Sequence, residues 1–133
     1  MASPGNPPVV AILNTNDDTV EMLRMMLELE GILAVSAHAN EVKRGEFDFG
    51  GFLREHDPKV VIVDIPPPYD RSWLLTQHLR AMPAAAGRKF VLTSTNPARL
   101  KEIAHAEEPI LEIIGKPYDM QMIVDAVRTA LDG

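Results

Sequence analysis

Three residues of different chemistry each follow a short apolar run. Asp64 follows residues 60–63 (VVIV), Thr93 follows residues 90–92 (FVL), and Lys116 stands just past residues 110–114 (ILEII). A carboxylate, a hydroxyl and an ammonium in one place suit a phosphoryl group. The carboxylate can act as nucleophile and form an aspartyl phosphate. The hydroxyl can donate a hydrogen bond to a phosphate oxygen, and the ammonium can pair with another as a compact cation. Each residue also has an ordinary reading: Asp64 can cap a turn, Thr93 can simply end a strand, and Lys116 can be a surface lysine before Pro117. Whether they act together depends on the elements that carry them.

Residues 9–13 (VVAIL) and 60–63 (VVIV) are wholly apolar, as strands covered on both faces are. Residues 32–37, 90–92 (extending to 93) and 110–114 predict the remaining strands. Between them, residues 19–30 carry a helical pattern, with Asp18 and Glu21 at the spacing of a capping box and Gly31 placed to end it. On this helix Met22, Leu23, Met26 and Leu27 form a core face, and Met25 and Leu29 extend the apolar arc as a candidate partner surface or as packing at the sheet's edge. Residues 40–57 are the least regular stretch, with a helix expected around 49–56. Residues 65–70 contain three successive prolines, which no helix can pass through, and a helix is expected over 71–82. Asn96 and Pro97 read as an N-cap and first-turn proline for a helix to 106. The last helix, 120–131, sets Met120, Ile123, Val124, Val127 and Leu131 on one face.

Five strands alternating with five helices predict an α/β fold, a doubly wound five-stranded parallel sheet between helical layers. In such sheets function gathers at the carboxyl ends of the strands. Those ends carry Asn14 and Thr15, Asp64, Thr93 and Ser94, and Lys116.

The chain has 133 residues, the size of one domain. Residues 1–8, with three prolines and a glycine, read as a disordered lead-in, and 9–133 as a single stand-alone domain. The formal net charge of -6 argues against nucleic acid or an anionic membrane as partner. The absence of cysteine excludes disulfides, thiol nucleophiles and thiolate metal sites. No run approaches the roughly 20 apolar residues of a membrane span, and the N-terminus lacks a signal pattern, so a cytoplasmic location is expected. His38, His56, His78 and His105 have no ligand spacing. Asp17 and Asp18 suit a helix start better than a metal. The loop NTNDDT is not glycine-rich, and its acids would repel a phosphate seated there, which argues against a nucleotide cradle.

The ordered set of segments resembles the response-regulator receiver family of two-component signalling, whose fold is flavodoxin-like. VVIVDIPPPYD sets Asp64 at the phosphoacceptor position and Pro68 at the family's proline beyond it. VLTS sets Thr93 at the switch hydroxyl, and GKPYDMQMIVDAV sets Lys116 at the phosphate-contacting lysine. The resemblance runs from about Val9 to Leu131. It implies a cis Lys116–Pro117 peptide and a weak Mg²⁺ site at the Asp64 side chain and the Pro66 carbonyl. It also implies a histidine kinase or phosphotransfer protein upstream, a signalling protein downstream, and no enzyme activity beyond self-phosphorylation or dephosphorylation at Asp64.

Two departures qualify the resemblance. The family's acidic pair after strand one falls on Asn14 and Thr15, both neutral, when the first helix is aligned by LELEG. Mg²⁺ wants oxygen ligands and charge compensation, so its binding is expected to be weak or absent. The family's switch aromatic, three residues before the lysine, falls on Ile113, which has neither ring nor hydroxyl. The expected function is a receiver-like protein in phosphorelay signalling, acting through protein contacts. The alternatives are a phosphorylation-independent pseudo-receiver and, in a different class, a small-molecule-binding flavodoxin-like domain. Without metal between them, Asp64 and Lys116 are expected to approach directly or through one water, with Thr93 close by.

Overall fold

The computed structural model describes residues 7–104, 111–115 and 120–132, with the side chains of 104, 111–115 and 120 left aside. The strands are β1 (Val9–Asn14), β2 (Leu33–His38), β3 (Val60–Ile65), β4 (Lys89–Ser94) and β5 (Leu111–Gly115). The helices are α1 (Asp17–Leu29), α2 (Ala39–Lys43), α3 (Phe49–His56), α4 (Tyr69–Arg80), α5 (Pro97–Ala104) and α6 (Met120–Asp132). The strands pair in parallel in the order β2-β1-β3-β4-β5. None of the described helices is long and apolar enough to cross a membrane.

Alternation along the strands builds two cores. Val10, Ile12, Val60, Ile62 and Val91 face α1 and α6, where Val20, Leu23, Leu27, Ile123, Val124 and Val127 meet them. Ala11, Leu13, Val61, Val63, Phe90 and Leu92 face the other helices through Leu53, Trp73, Leu79 and Leu100. The apolar runs 9–13 and 60–63 are thus covered on both faces, which is why they carry no polar alternation. Side-chain ties then fix the helices to one another and to the sheet. Arg128 of α6 pairs with Glu30 at the end of α1, and Lys89 Nζ donates to the Ala130 carbonyl at 2.9 Å.

Several boundaries differ from the sequence expectation, each for a local reason. The described residues hold six α-helices, where five were expected, because the stretch 39–57 splits in two. Gly45, at φ 74°, breaks the chain between them, and the Asp48 side chain starts α3 by accepting from Gly51 N at 3.0 Å. The Asp18–Glu21 capping box does not form. Asn16 is the N-cap, its side chain accepting from Thr19 N at 3.0 Å, so both aspartates lie in the first turn. Glu21 instead pairs along the helix with Arg24. Helix α4 starts at Tyr69, two residues before the expected Arg71, with Pro68 as its N-cap, where a missing N–H costs nothing. Met22 was expected in the core but is exposed: with Val20, Leu23 and Leu27 on the sheet, a helical step of about 100° per residue turns it outward. The expected Asn96 cap of α5 is present, with Arg99 N donating to its side chain at 3.1 Å. Pro8, assigned by composition to the lead-in, accepts from Leu33 N at 2.9 Å, while residues 1–6 lie outside the described residues.

One arginine closes the end of α3. The helix stops at Asp57, in the left-handed region at φ 48°, leaving terminal carbonyls to be satisfied. Arg88, its side chain only 12% exposed, donates to the carbonyls of Ala84, Pro58 and Leu53 and to the Asp57 carboxylate. Replacing Arg88 with methionine keeps the stem but removes every donor, and should cost about 2–3 kcal/mol in urea denaturation. A loss below about 0.5 kcal/mol would show that water replaces the guanidinium freely. The Arg88 hydrogen bond, with the charge of Lys59 beside it, holds the Asp57 carboxyl below the usual carboxylate range. A lowered folded pKa stabilises above the ordinary aspartate value and loses that contribution as pH falls through the folded one, so the effect belongs to strong acid, below about pH 4. Because Asp57 is solvent-exposed, Asp57→Asn should leave the melting temperature at neutral pH nearly unchanged.

Candidate functional site

The chain leaves β1 toward β2 on one side and β3 toward β4 on the other, so the helices after β1 and β3 diverge to opposite faces and leave a crevice between the strand ends. The register places residues there by count. Leu13 pairs with Val63, so Asn14 and Asp64 come next on adjacent strands. Asp64 pairs with Thr93, and Asn14 pairs with His38. Paired residues of a parallel sheet point to the same face. Asn14, Asp64 and Thr93 therefore share the α1/α6 face.

The structure brings two of the three chemical groups together. Thr93 Oγ1 donates to Asp64 Oδ1 at 2.9 Å. Thr93 is fully buried and Asp64 half-buried, so the carboxylate sits at the wall of the crevice with one side held. Lys116 lies outside the described residues, and with it the expected Asp64–Lys116 approach and the expected cis Lys116–Pro117 peptide. Ile113 lies in β5 opposite Leu92.

Asn14 and Thr15, where the resemblance expects an acidic pair, stand at a turn. Asn14 is buried, and its Oδ1 accepts from Asn16 N at 2.9 Å. Thr15 is exposed. Asp17 and Asp18 are exposed in the first turn of α1. Of the histidines, His38 caps α2 by accepting from Asn40 N at 3.2 Å, and His56 lies against the Phe52 ring at 4.9 Å between centroids. His105 lies outside the described residues. Among the described residues no group of three or more His, Cys, Asp or Glu could hold a metal ion.

The loops beyond Asp64 and Thr93 carry groups that the sequence alone did not single out. Ser72 Oγ donates to the Pro66 carbonyl at 2.7 Å, and Thr76 Oγ1 donates to the Ser72 carbonyl at 2.9 Å. Between Pro66 and Tyr69 the chain turns through a cis Pro67–Pro68 peptide. The Tyr69 hydroxyl meets Thr95 Oγ1, and Arg99 of α5 lies 3.8 Å from Asp70 of α4. Asn96 N donates to Ser94 Oγ at 3.1 Å. Tyr69 lies five positions past Asp64 and Thr95 two past Thr93. The pairing of β3 with β4 is the one signal that could have joined them.

No protein-family model matches this sequence, and no curated protein matches it. Solved structures match it in shape. The chain is similar to a CheY-like response regulator receiver domain from Methylobacillus flagellatus, at 19% identity over 94% of this chain and 99% of that one, with a TM-score of 0.67. It is similar to a response regulator from Thermotoga maritima, at 18% identity over 96% and 99%, with a TM-score of 0.71. It is also similar to a signal receiver domain of two-component signal transduction from Clostridium thermocellum, at 17% identity over 95% and 98%, with a TM-score of 0.72. Identities this low speak for the fold, and the fold is that of receiver domains.

The Asp64–Thr93 contact can be weighed directly. Thr93→Val keeps the shape and removes the donor, and should cost about 1–3 kcal/mol of stability in urea denaturation. The same change made in an Asp64→Ala background should cost distinctly less, since the two residues act through one bond. Equal costs in the two backgrounds would mean that the contact contributes nothing.

Proposed function

We propose that this chain, which has the receiver fold, is a receiver-like signalling module of a two-component phosphorelay, with Asp64 at its phosphoacceptor position. The observation that carries the reading is the Thr93–Asp64 hydrogen bond at the crevice of the sheet. In phosphoryl transfer, an Asp64 carboxylate oxygen would attack the phosphorus of a phosphohistidine or acyl phosphate. The new O–P bond forms as the P–N or P–O bond to the donor breaks, and the donor leaves with that electron pair. The Thr93 hydroxyl, already aimed at the carboxylate, turns to a phosphoryl oxygen. Lys116 is the cation proposed to meet another. The protein is otherwise a binding module and not an enzyme, and a cytoplasmic location belongs to the same reading.

The groups available fit Mg²⁺ poorly. That ion prefers about six oxygen ligands in octahedral order and carries two positive charges to be offset. Asn14 is neutral with its oxygen engaged by Asn16 N, Thr15 is neutral and exposed, and the Pro66 carbonyl already accepts from Ser72. Asp64 is the one anion in that set. Transfer is therefore expected to be slow, because a main neutraliser of the phosphoryl charge is weak or missing. The same observation favours a second reading, in which the module signals by contact alone.

A histidine kinase or phosphotransfer protein upstream and a signalling protein downstream are the partners this reading implies. The surface best suited to a protein is the outward face of α1. Met22, Met25 and Leu29 lie along it at helical spacing, with Met25 59% and Leu29 85% exposed. Methionine suits adaptable contacts.

Incubation with acetyl phosphate and Mg²⁺, read by mass spectrometry, should add one phosphoryl group to the wild type and none to Asp64→Asn, at a rate well below that of receivers with the acidic pair. An adduct that persists in Asp64→Asn, or no adduct at all, removes the phosphoacceptor reading and leaves the contact module. In a Mg²⁺ titration followed by Trp73 fluorescence, the wild type should not saturate below millimolar concentration, an expectation set by ligand charge. Asn14→Asp with Thr15→Asp should tighten binding. Tight binding by the wild type would mean that carboxylates other than Asp64 supply the site.

A further inference from the structure

Three side-chain bridges run in series from the crevice to the first turn of α4. Thr93 holds Asp64, Thr95 meets the hydroxyl of Tyr69, and Arg99 faces Asp70. Each joins the β4–α5 segment to the β3–α4 segment. The first lies at the carboxylate, and the second at the residue that opens α4.

The segments between the bridges are stiff. Only Ser94 separates Thr93 from Thr95, and it is fully buried with its hydroxyl accepting from Asn96 N. Thr93 and Thr95 are thus joined through a buried, hydrogen-bonded residue. On the other side, three prolines restrict the backbone between Asp64 and Tyr69, and Ser72 ties the Pro66 carbonyl to α4. The loop and the helix start are thus tied together.

We propose that the Tyr69–Thr95 contact is a latch that reports the state of Asp64 to α4. While Thr93 bonds Asp64, Thr95 stays within reach of Tyr69 and the start of α4 is held. When the Thr93 hydroxyl is drawn to another acceptor, Thr95 withdraws, Tyr69 is released, and the first turn of α4 loosens. The surface altered is the outward face of α4, where Asp70, Arg71 and the 65% exposed Leu74 lie. Position 113 on β5 carries an isoleucine, with no hydroxyl to take part. The identity of the physiological trigger rests on the phosphoacceptor reading, whereas the coupling from Asp64 to α4 does not.

Trp73, the single tryptophan, is buried in α4 one turn after Tyr69 and reports the latch. The test uses the full chain, with Trp73 emission and amide hydrogen exchange of residues 72–75, the first hydrogen-bonded amides of α4, as readouts. Asp64→Ala, Thr93→Val and Tyr69→Phe should each shift the emission and speed exchange there by about five- to tenfold, the size of one hydrogen bond. Asp64→Ala combined with Tyr69→Phe should do no more than either alone. Thr95→Val should copy Tyr69→Phe, which separates the hydroxyl pair from packing of the ring. Additive effects, or α4 amides unmoved by Asp64→Ala, overturn the latch. In a second arm, acetyl phosphate and Mg²⁺ are added and the mass is followed. An Asp64-dependent adduct should move Trp73 in the wild type but not further in Tyr69→Phe. An adduct that leaves Trp73 unmoved also overturns the latch. No adduct sinks the phosphoacceptor reading alone, and the substitutions still decide the latch.

Discussion

In a parallel sheet every strand is left at the same carboxyl end, so all the exit loops collect there whatever their sequences. That constraint organises this molecule. It places Asn14, Asp64 and Thr93 at one level on one face, because Leu13 pairs with Val63 and Asp64 with Thr93. The order β2-β1-β3-β4-β5 then opens a crevice where the chain departs to both sides of β1 and β3. The two cores hold the strands rigidly enough for a carboxylate and a hydroxyl to meet at 2.9 Å. The chemistry thus rests on burial far from it: Val10, Ile12, Val60 and Ile62 set the register that Asp64 inherits.

Charge separates what this crevice can hold from what its fold can hold. The acids nearest the end of β1 went into the first turn of α1, where the helix dipole favours them, while Asn14 was turned to bracing its own loop. Negative charge serves helix stability in α1, while the end of β1 itself, at Asn14 and Thr15, is neutral. The fold is indifferent to that exchange, since neither Asn14 nor Thr15 carries the core.

Much of this was legible in the residues. Wholly apolar runs marked the buried strands, and Asn96 with Pro97 marked the start of α5, because those signals are local. Asp64 and Thr93 were legible as strand-end residues for the same reason. The capping of α1 is ambiguous in the sequence, because Asn16, Asp17 and Asp18 all suit an N-cap and only the final geometry selects Asn16. The split of residues 39–57 turned on a positive φ at Gly45, which composition does not reveal. Tyr69 and Thr95 were invisible because their meeting depends on the pairing of two strands far apart in the chain. Arg88 was likewise silent: its donors satisfy carbonyls from three separate places.

The position of β1 between β2 and β3 has a consequence for the chain as it is being made. Val10 can find Ala34 of β2 early, but its other neighbour, Val60, lies beyond α1, β2, α2 and α3. Long-range parallel pairing of this kind comes late, since loop closure must precede the contacts that reward it. A chain emerging from the ribosome therefore holds the apolar flank of β1 uncovered until β3 is out, and Asp64 arrives before Thr93 exists to meet it. The crevice cannot be complete before β4 is made, so a truncated product ending before β4 would present a carboxylate with no Thr93 hydroxyl and no Thr95 to hold Tyr69.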